Sequence, residues 1–331
     1  MSYYEDRINE FLNGRAFMTL QAVALVACSL LAYASGRFES IDTGNGVFFS
    51  LAANYLIPDA RVSLVVNMAA LLAIAFSTIV LNKVYNFVRS VTFIGASVFL
   101  LLMMANPFVC TQLNAGTVLL LVAVVSMFVM FSTYQRKGTS QRSVYIIFAL
   151  LSLCCMFQYA FIVLVVTFVV GLLMMRGIDF RGIIAMLLGL ATPFWIGLGL
   201  GLVDVHTAML PEIETIWKQL QGNQMQLVIA STAVVAVLAV VLMIANMFTI
   251  LNYRLQIRVY NSFFLVLTVV AIGMMCIDYR NMMIYVPLLN WCLAIQVAHA
   301  FTINNTLTRR YIPVLLLIAG AWAIYVAHII S

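Results

Sequence analysis

Of the 331 residues, 65% are hydrophobic and 8% are charged. Water-soluble globules carry about 45–50% apolar and about 25% charged residues, so the composition excludes a soluble domain and leaves a polytopic membrane protein. The net charge of +6 does not point to a nucleic-acid partner, because no basic run is longer than Arg309-Arg310 and the other cations sit in short loops.

A bilayer core about 30 Å thick takes roughly 20 apolar residues per helix. The apolar runs supply about eleven such spans, which predicts an all-α transmembrane bundle forming a single integral membrane domain over residues 1–331. Residues 1–15 alternate charged and apolar positions and read as a surface helix. The first span is 16–35. Inside it, Leu25-Val26-Ala27-Cys28 resembles a lipoprotein cleavage box and Ala32-Tyr33-Ala34 a signal-peptidase site, but the apolar run continues to Ala34, so an uncleaved helix is expected.

The loop 36–61 places Arg37, Glu39 and Asp42 among turn formers. Its second half, Val47 to Ile57, is apolar, too short to span, and stopped by Pro58-Asp59, which predicts an interfacial helix. Spans two to four are 62–81, 90–105 and 114–133, with Asn106-Pro107 breaking the third. Residues 143–175 form one apolar run of 33 with basic loops at both ends. Two short helices turning near Gln158-Tyr159 keep both basic loops on one side; a single long helix would not, and no Gly or Pro decides the matter. Span seven, 182–203, holds Gly189, Pro193, Gly197, Gly199 and Gly201, a pattern suited to close helix approach and a kink. The loop 204–225 carries His206, Pro211, Glu212, Glu214, Trp217 and Lys218 and reads as a second interfacial helix. Spans at 226–250, 260–276, 283–300 and 312–330 complete the chain.

Thirteen of the seventeen Lys and Arg residues fall in alternate loops; Arg37, Arg61, Lys218 and Arg280 fall on the other side. Cationic loops resist translocation, so the rich side is cytoplasmic, with the N-terminus in and the C-terminus out. In a bacterium this is the inner membrane. Seven of the eleven acids lie on the outer side: Glu39, Asp42, Asp59, Asp204, Glu212, Glu214 and Asp278. The six cysteines show no zinc spacing and no disulfide framework, although Cys110 and Cys276 both fall near the outer surface, where an oxidising compartment would let them pair.

An ionisable group at membrane depth costs about 2.5–3.5 kcal/mol and marks ion or proton paths. Within the spans only His299 and His328 qualify, and the uncharged Asn67, Gln158, Asn246, Asn290 and Gln296 read as interhelical hydrogen bonds. The outer boundary is richer. Three loops bring Arg37, Glu39 and Asp42, then Asp204 and His206, then Asp278 and Arg280. Carboxylates there can act as a general base or hold a divalent cation, and arginines recognise phosphate with a planar fork. Those are the groups needed to move a sugar from a polyprenyl-phosphate carrier to an acceptor. The plainer reading is that they solvate helix ends.

Two resemblances bear on this. Leu81-Asn82-Lys-Val-Tyr-Asn86, Ala105-Asn106-Pro107 and Met175-Arg176-Gly-Ile-Asp-Phe180-Arg181, leading to Gly189-Leu-Ala-Thr-Pro193, are similar to an uncharacterised bacterial polytopic inner-membrane family, which brings no activity with it. The first outer loop resembles that of GT-C glycosyltransferases and of EpsG-like polysaccharide polymerases. That resemblance implies Asp42 as the catalytic acid or metal ligand, Glu39 as its partner and Arg37 as a phosphate contact. The spacing is ExxD rather than the ExD or DxD of GT-C enzymes, and the chain has no large C-terminal outer domain. Three functions follow: a lipid-linked glycosyltransferase or polymerase; a non-catalytic subunit or assembly factor of an envelope complex, with protein partners; or a lipid transporter or flippase with a path lined by Asn67, Asn290, Gln296 and His299.

Overall fold

A computed structural model describes residues 3–38, 46–49, 57–88, 92–134, 140–176, 178–204, 206, 208, 223–303 and 307–330. Every regular element among them is helical. They are α1 (Tyr3–Asn13), α2 (Arg15–Ser35), α3 (Ala60–Tyr85), α4 (Ile94–Met104), α5 (Pro107–Cys110), α6 (Ala115–Phe131), α7 (Ser140–Phe157), α8 (Phe161–Met174), α9 (Phe180–Gly199), α10 (Asn223–Ile250), α11 (Leu255–Ile277), a 3-10 turn (Tyr279–Asn281), α12 (Met282–Ile303) and α13 (Leu307–Ile330). Seven of these, α2, α3 and α9 to α13, are long and apolar enough to cross a membrane, and α4, α6, α7 and α8 are shorter apolar helices. The chain is an all-α helical bundle with the character of an integral membrane protein.

Helix α12 is the hub. It is almost wholly buried, and α4, α6, α10, α11 and α13 pack around it. It is also the least hydrophobic of the seven long helices, whereas α10 is the most hydrophobic and among the least buried. The inversion is physical: lipid-facing positions have no partner but hydrocarbon, while a central helix can satisfy polar groups on its neighbours. Trp291 Nε1–H donates to Thr78 Oγ1 on α3 at 2.8 Å. Asn246 Nδ2 on α10 donates to both the carbonyl and Oε1 of Gln296 at 2.9 Å. His299 Nε2 meets Asn261 Oδ1 on α11 at 2.6 Å.

Local signals set the helix boundaries. Asn86 ends α3 in the left-handed region (φ 49°), its N–H returning to the Asn82 carbonyl, while Asn82 Oδ1 accepts from Val88 N–H at 2.8 Å. Asn106 caps α5 with Pro107 at the first helical position. Asp179 caps α9, accepting from Gly182 N–H at 2.7 Å. The motifs behind the first family resemblance therefore have structural roles as caps and turns.

The run 143–175 is two helices, parted by a turn over residues 158–160. Helices α7 and α9 run in step, with Gly189 against Tyr145 at one end and Gly197 against Met156 at the other. A parallel pair so close in sequence needs a returning segment between its members, and α8 is that segment. The expected interfacial helix 47–57 is corrected in part: residues 46–49 are not helical but lie along the α7–α8 turn, and 50–56 are outside the described residues. The expected surface helix at 204–225 also falls mainly outside them. Cys110 and Cys276 are both free thiols, the first buried and the second exposed, so that pairing is not made.

Candidate functional site at one end of the bundle

Described parts of the loops that charge assigns to the outer face meet at one end of the bundle, residues 37–38 against α13 and α5 and residues 47–49 against the α7–α8 turn. Arg37, just past α2, is exposed and donates through Nη1 to the Ile329 carbonyl near the end of α13, at 3.0 Å. Its neighbour Phe38 is buried edge-on against Phe108 (5.1 Å), which also receives the His328 ring (6.0 Å). The α5 turn is held beneath by α3, where Ser63 Oγ accepts from Leu113 N–H and Asn67 Nδ2 donates to the Val109 and Cys110 carbonyls. Burial pushes the Cys110 thiol up to about 12, so it is protonated and inert near neutrality.

The other sequence-derived candidates occupy separate turns. Asp204 and His206 are exposed, and Asp204 Oδ1 accepts from the His206 backbone N–H at 3.1 Å. Asp278 is half-buried; Oδ1 accepts from Asn281 Nδ2 at 2.9 Å and Oδ2 from the Tyr285 hydroxyl at 3.3 Å. Arg280 lies in the 3-10 turn between them. Glu39 and Asp42 lie outside the described residues. Among the described residues, no group of three or more His, Cys, Asp or Glu side chains is placed to hold a metal ion.

Below this end lies a cavity of about 460 Å³ between α4, α10, α12 and α13, within the range of about 300–1,000 Å³ usual for ligand clefts. Its walls are aliphatic and carry no charged residue; Asn106, Ser231, Thr232 and Asn290 are its polar members. Two of its wall helices lead to the candidate residues. Ile324 on α13 lies five residues before Ile329, which Arg37 grips, or roughly 7.5 Å along the axis. Val286 on α12 follows Tyr285, which holds Asp278. Sequence reasoning missed this cavity, because it is bounded by segments far apart in the chain; only the intramembrane Asn290 hinted at it.

The polar residues expected to line a transport path are dispersed instead. Asn67 binds α5, Gln296 binds α10 and His299 binds α11, each in its own helix contact; Asn290 faces the cavity. Comparisons with protein-family models, curated proteins and solved structures gave no match to this chain.

Proposed function

We propose that this integral membrane protein handles a lipid-linked sugar at the outer face of a bacterial inner membrane, as a transferase or polymerase of the GT-C kind. The observation that carries the reading is the uncharged cavity whose wall helices lead up to Arg37 and Asp278. An apolar chain belongs in such a cavity and a phosphate head belongs above it. Arg37 engages one carbonyl through one nitrogen, while a guanidinium has five N–H donors in all, so it retains capacity for a phosphate oxygen. In this reading Asp42, supported by Glu39, activates the acceptor hydroxyl or holds a divalent cation, while Asp204, His206, Asp278 and Arg280 contact the sugar and its phosphates. The test is complementation in the native host, scored for surface glycans with membrane insertion checked. Asp42→Asn and Glu39→Gln are expected to insert normally and lose the glycan phenotype, while Asn246→Leu keeps it. Wild-type glycans from both carboxamide variants would refute the reading.

A second reading, a non-catalytic subunit of an envelope complex, is favoured by α9. This helix packs chiefly on α7 and leaves Phe180, Leu188 and Trp195 exposed, the last at 79%. Crosslinking from position 195 in native membranes distinguishes the two: one discrete protein adduct supports the subunit, lipid adducts alone count against it.

A further inference from the structure

We infer that the cavity between α4, α10, α12 and α13 is a binding site for a lipid alcohol, a long apolar chain with one hydroxyl held between Asn106 and Asn290. Both asparagines are at least 95% buried and both line the cavity. Each amide is oriented by its surroundings, so its free atom is known. Asn106 Oδ1 caps the Phe108 N–H at 3.2 Å, which leaves Nδ2 as an uncommitted donor. Asn290 Nδ2 is turned toward the Leu102 carbonyl (3.5 Å) and the Met103 sulfur (3.7 Å), which leaves Oδ1 as an uncommitted acceptor. Turning that amide over would set oxygen against oxygen.

Both free atoms belong to the wall of the same cavity, and in this proposal one group bridges them. Asn290 reaches the carbonyl of Leu102 in the last turn of α4, and Asn106 follows Leu102 by four residues, just past the end of that helix. A hydroxyl is the small neutral group that donates to one partner and accepts from another. A plain hydrocarbon would leave both amides unpaired in an apolar wall, which is costly. A charged head is disfavoured because no charged side chain lines the cavity. A ketone or ester carbonyl accepts but cannot donate, so it pairs with Asn106 alone. The site does not depend on the functional proposal: it stands whether or not a sugar is transferred above, and a lipid alcohol bound there would compete with the carrier's apolar chain for the same cavity.

The experiment uses the purified full chain in nanodiscs and a diazirine-bearing hexadecanol, compared with its methyl ether and with the parent hydrocarbon. Saturable photolabelling is expected on α10, α12 and α13, with the ether weaker by about tenfold, as expected for losing one hydrogen bond to a buried partner, and the hydrocarbon weaker still for losing both. Asn290→Leu is expected to reduce labelling by the alcohol to the level of the ether. Equal labelling by all three probes, or an Asn290→Leu protein that folds and labels like wild type, would overturn the proposal and leave the cavity as a space filled by any lipid chain. The probe series on the unmodified protein decides the matter even if the variant does not fold. Catalysis is not read at any step, so loss of this site and loss of the glycosyltransferase reading remain separate results.

Discussion

Two glycines in apparently similar settings show what a single residue decides. A Cβ at Gly171 on α8 would lie 2.4 Å from the ring of Phe263, which is fully buried and packed against Phe131 and Phe168. That ring cannot give way cheaply, so Gly171→Ala is expected to destabilise the protein by about 1–3 kcal/mol. Gly273, inside α11, has no positive φ, and a Cβ added there would meet nothing within 4 Å; Gly273→Ala is expected to stabilise by about 0.5–1 kcal/mol through backbone entropy. Thermal unfolding in detergent measures both, and equal shifts for the pair would mean that α8 and α11 do not cross closely. Buried polar residues were easier to read from sequence than these glycines. Asn67, Asn246 and Gln296 were expected to join helices and do so, because an unpaired amide in hydrocarbon has few alternatives. Asn290 differs in that it lines a cavity, and burial in a cavity cannot be read from residue type.

Among the elements, the stretch around the α7–α8 turn separates what was legible from what was not. The existence of the turn followed from basic loops at both ends of an over-long apolar run, and each expected span overlaps a helix, seven of those helices being long and apolar enough to cross a membrane. The backbone contact at 46–49 left no such trace. There Val47 N–H donates to the Cys155 carbonyl, and Phe48 and Phe49 N–H donate to that of Met156, at 3.2–3.3 Å. Phe49 stacks on Phe157 at 4.8 Å. An apolar stretch that borrows hydrogen bonds from a helix end looks, in sequence, like an interfacial helix, and that is why one was expected. The short α5 was missed for a related reason: Asn106-Pro107 marks both the end of one helix and the start of another. Gly46 makes the loop contact possible, since a Cβ there would lie 2.2–2.3 Å from the Met156 and Phe157 backbone. Gly46→Ala is therefore expected to release the segment. Hydrogen exchange at the Val47 and Phe48 amides should quicken by at least tenfold while α7 and α8 stay protected; unchanged exchange would show that the segment tolerates a side chain. Because Glu39 and Asp42 precede this anchor, the same variant is expected to lower any activity that depends on them.

At the scale of the whole molecule, charge assigned the loops to two sides, and the structure brings described parts of those assigned outward together at one end: Arg37 with Ile329, Phe38 with Phe108, and Val47 with Cys155. The opposite end joins Tyr85 to Phe128, Tyr260 to Phe131, and His299 to Asn261. Which end faces the cytoplasm is a statement about the membrane, and the cation bias is its warrant. The protein carries its own probe of that orientation. Cys276 is exposed at the Asp278 end of α11, whereas Cys28, Cys110, Cys155 and Cys292 are buried and Cys154 is half-buried. A membrane-impermeant maleimide added to intact spheroplasts is expected to label the wild type, to fail on Cys276→Ser, and to label a cysteine placed at Lys83 in the Cys276→Ser background only after permeabilisation. The reverse pattern would put Arg37 and Asp278 in the cytoplasm. An outer-face transferase would then lose its site, because no lipid-linked sugar on the outer leaflet could reach those side chains, while the lipid-alcohol cavity, which depends on neither side, would stand unchanged.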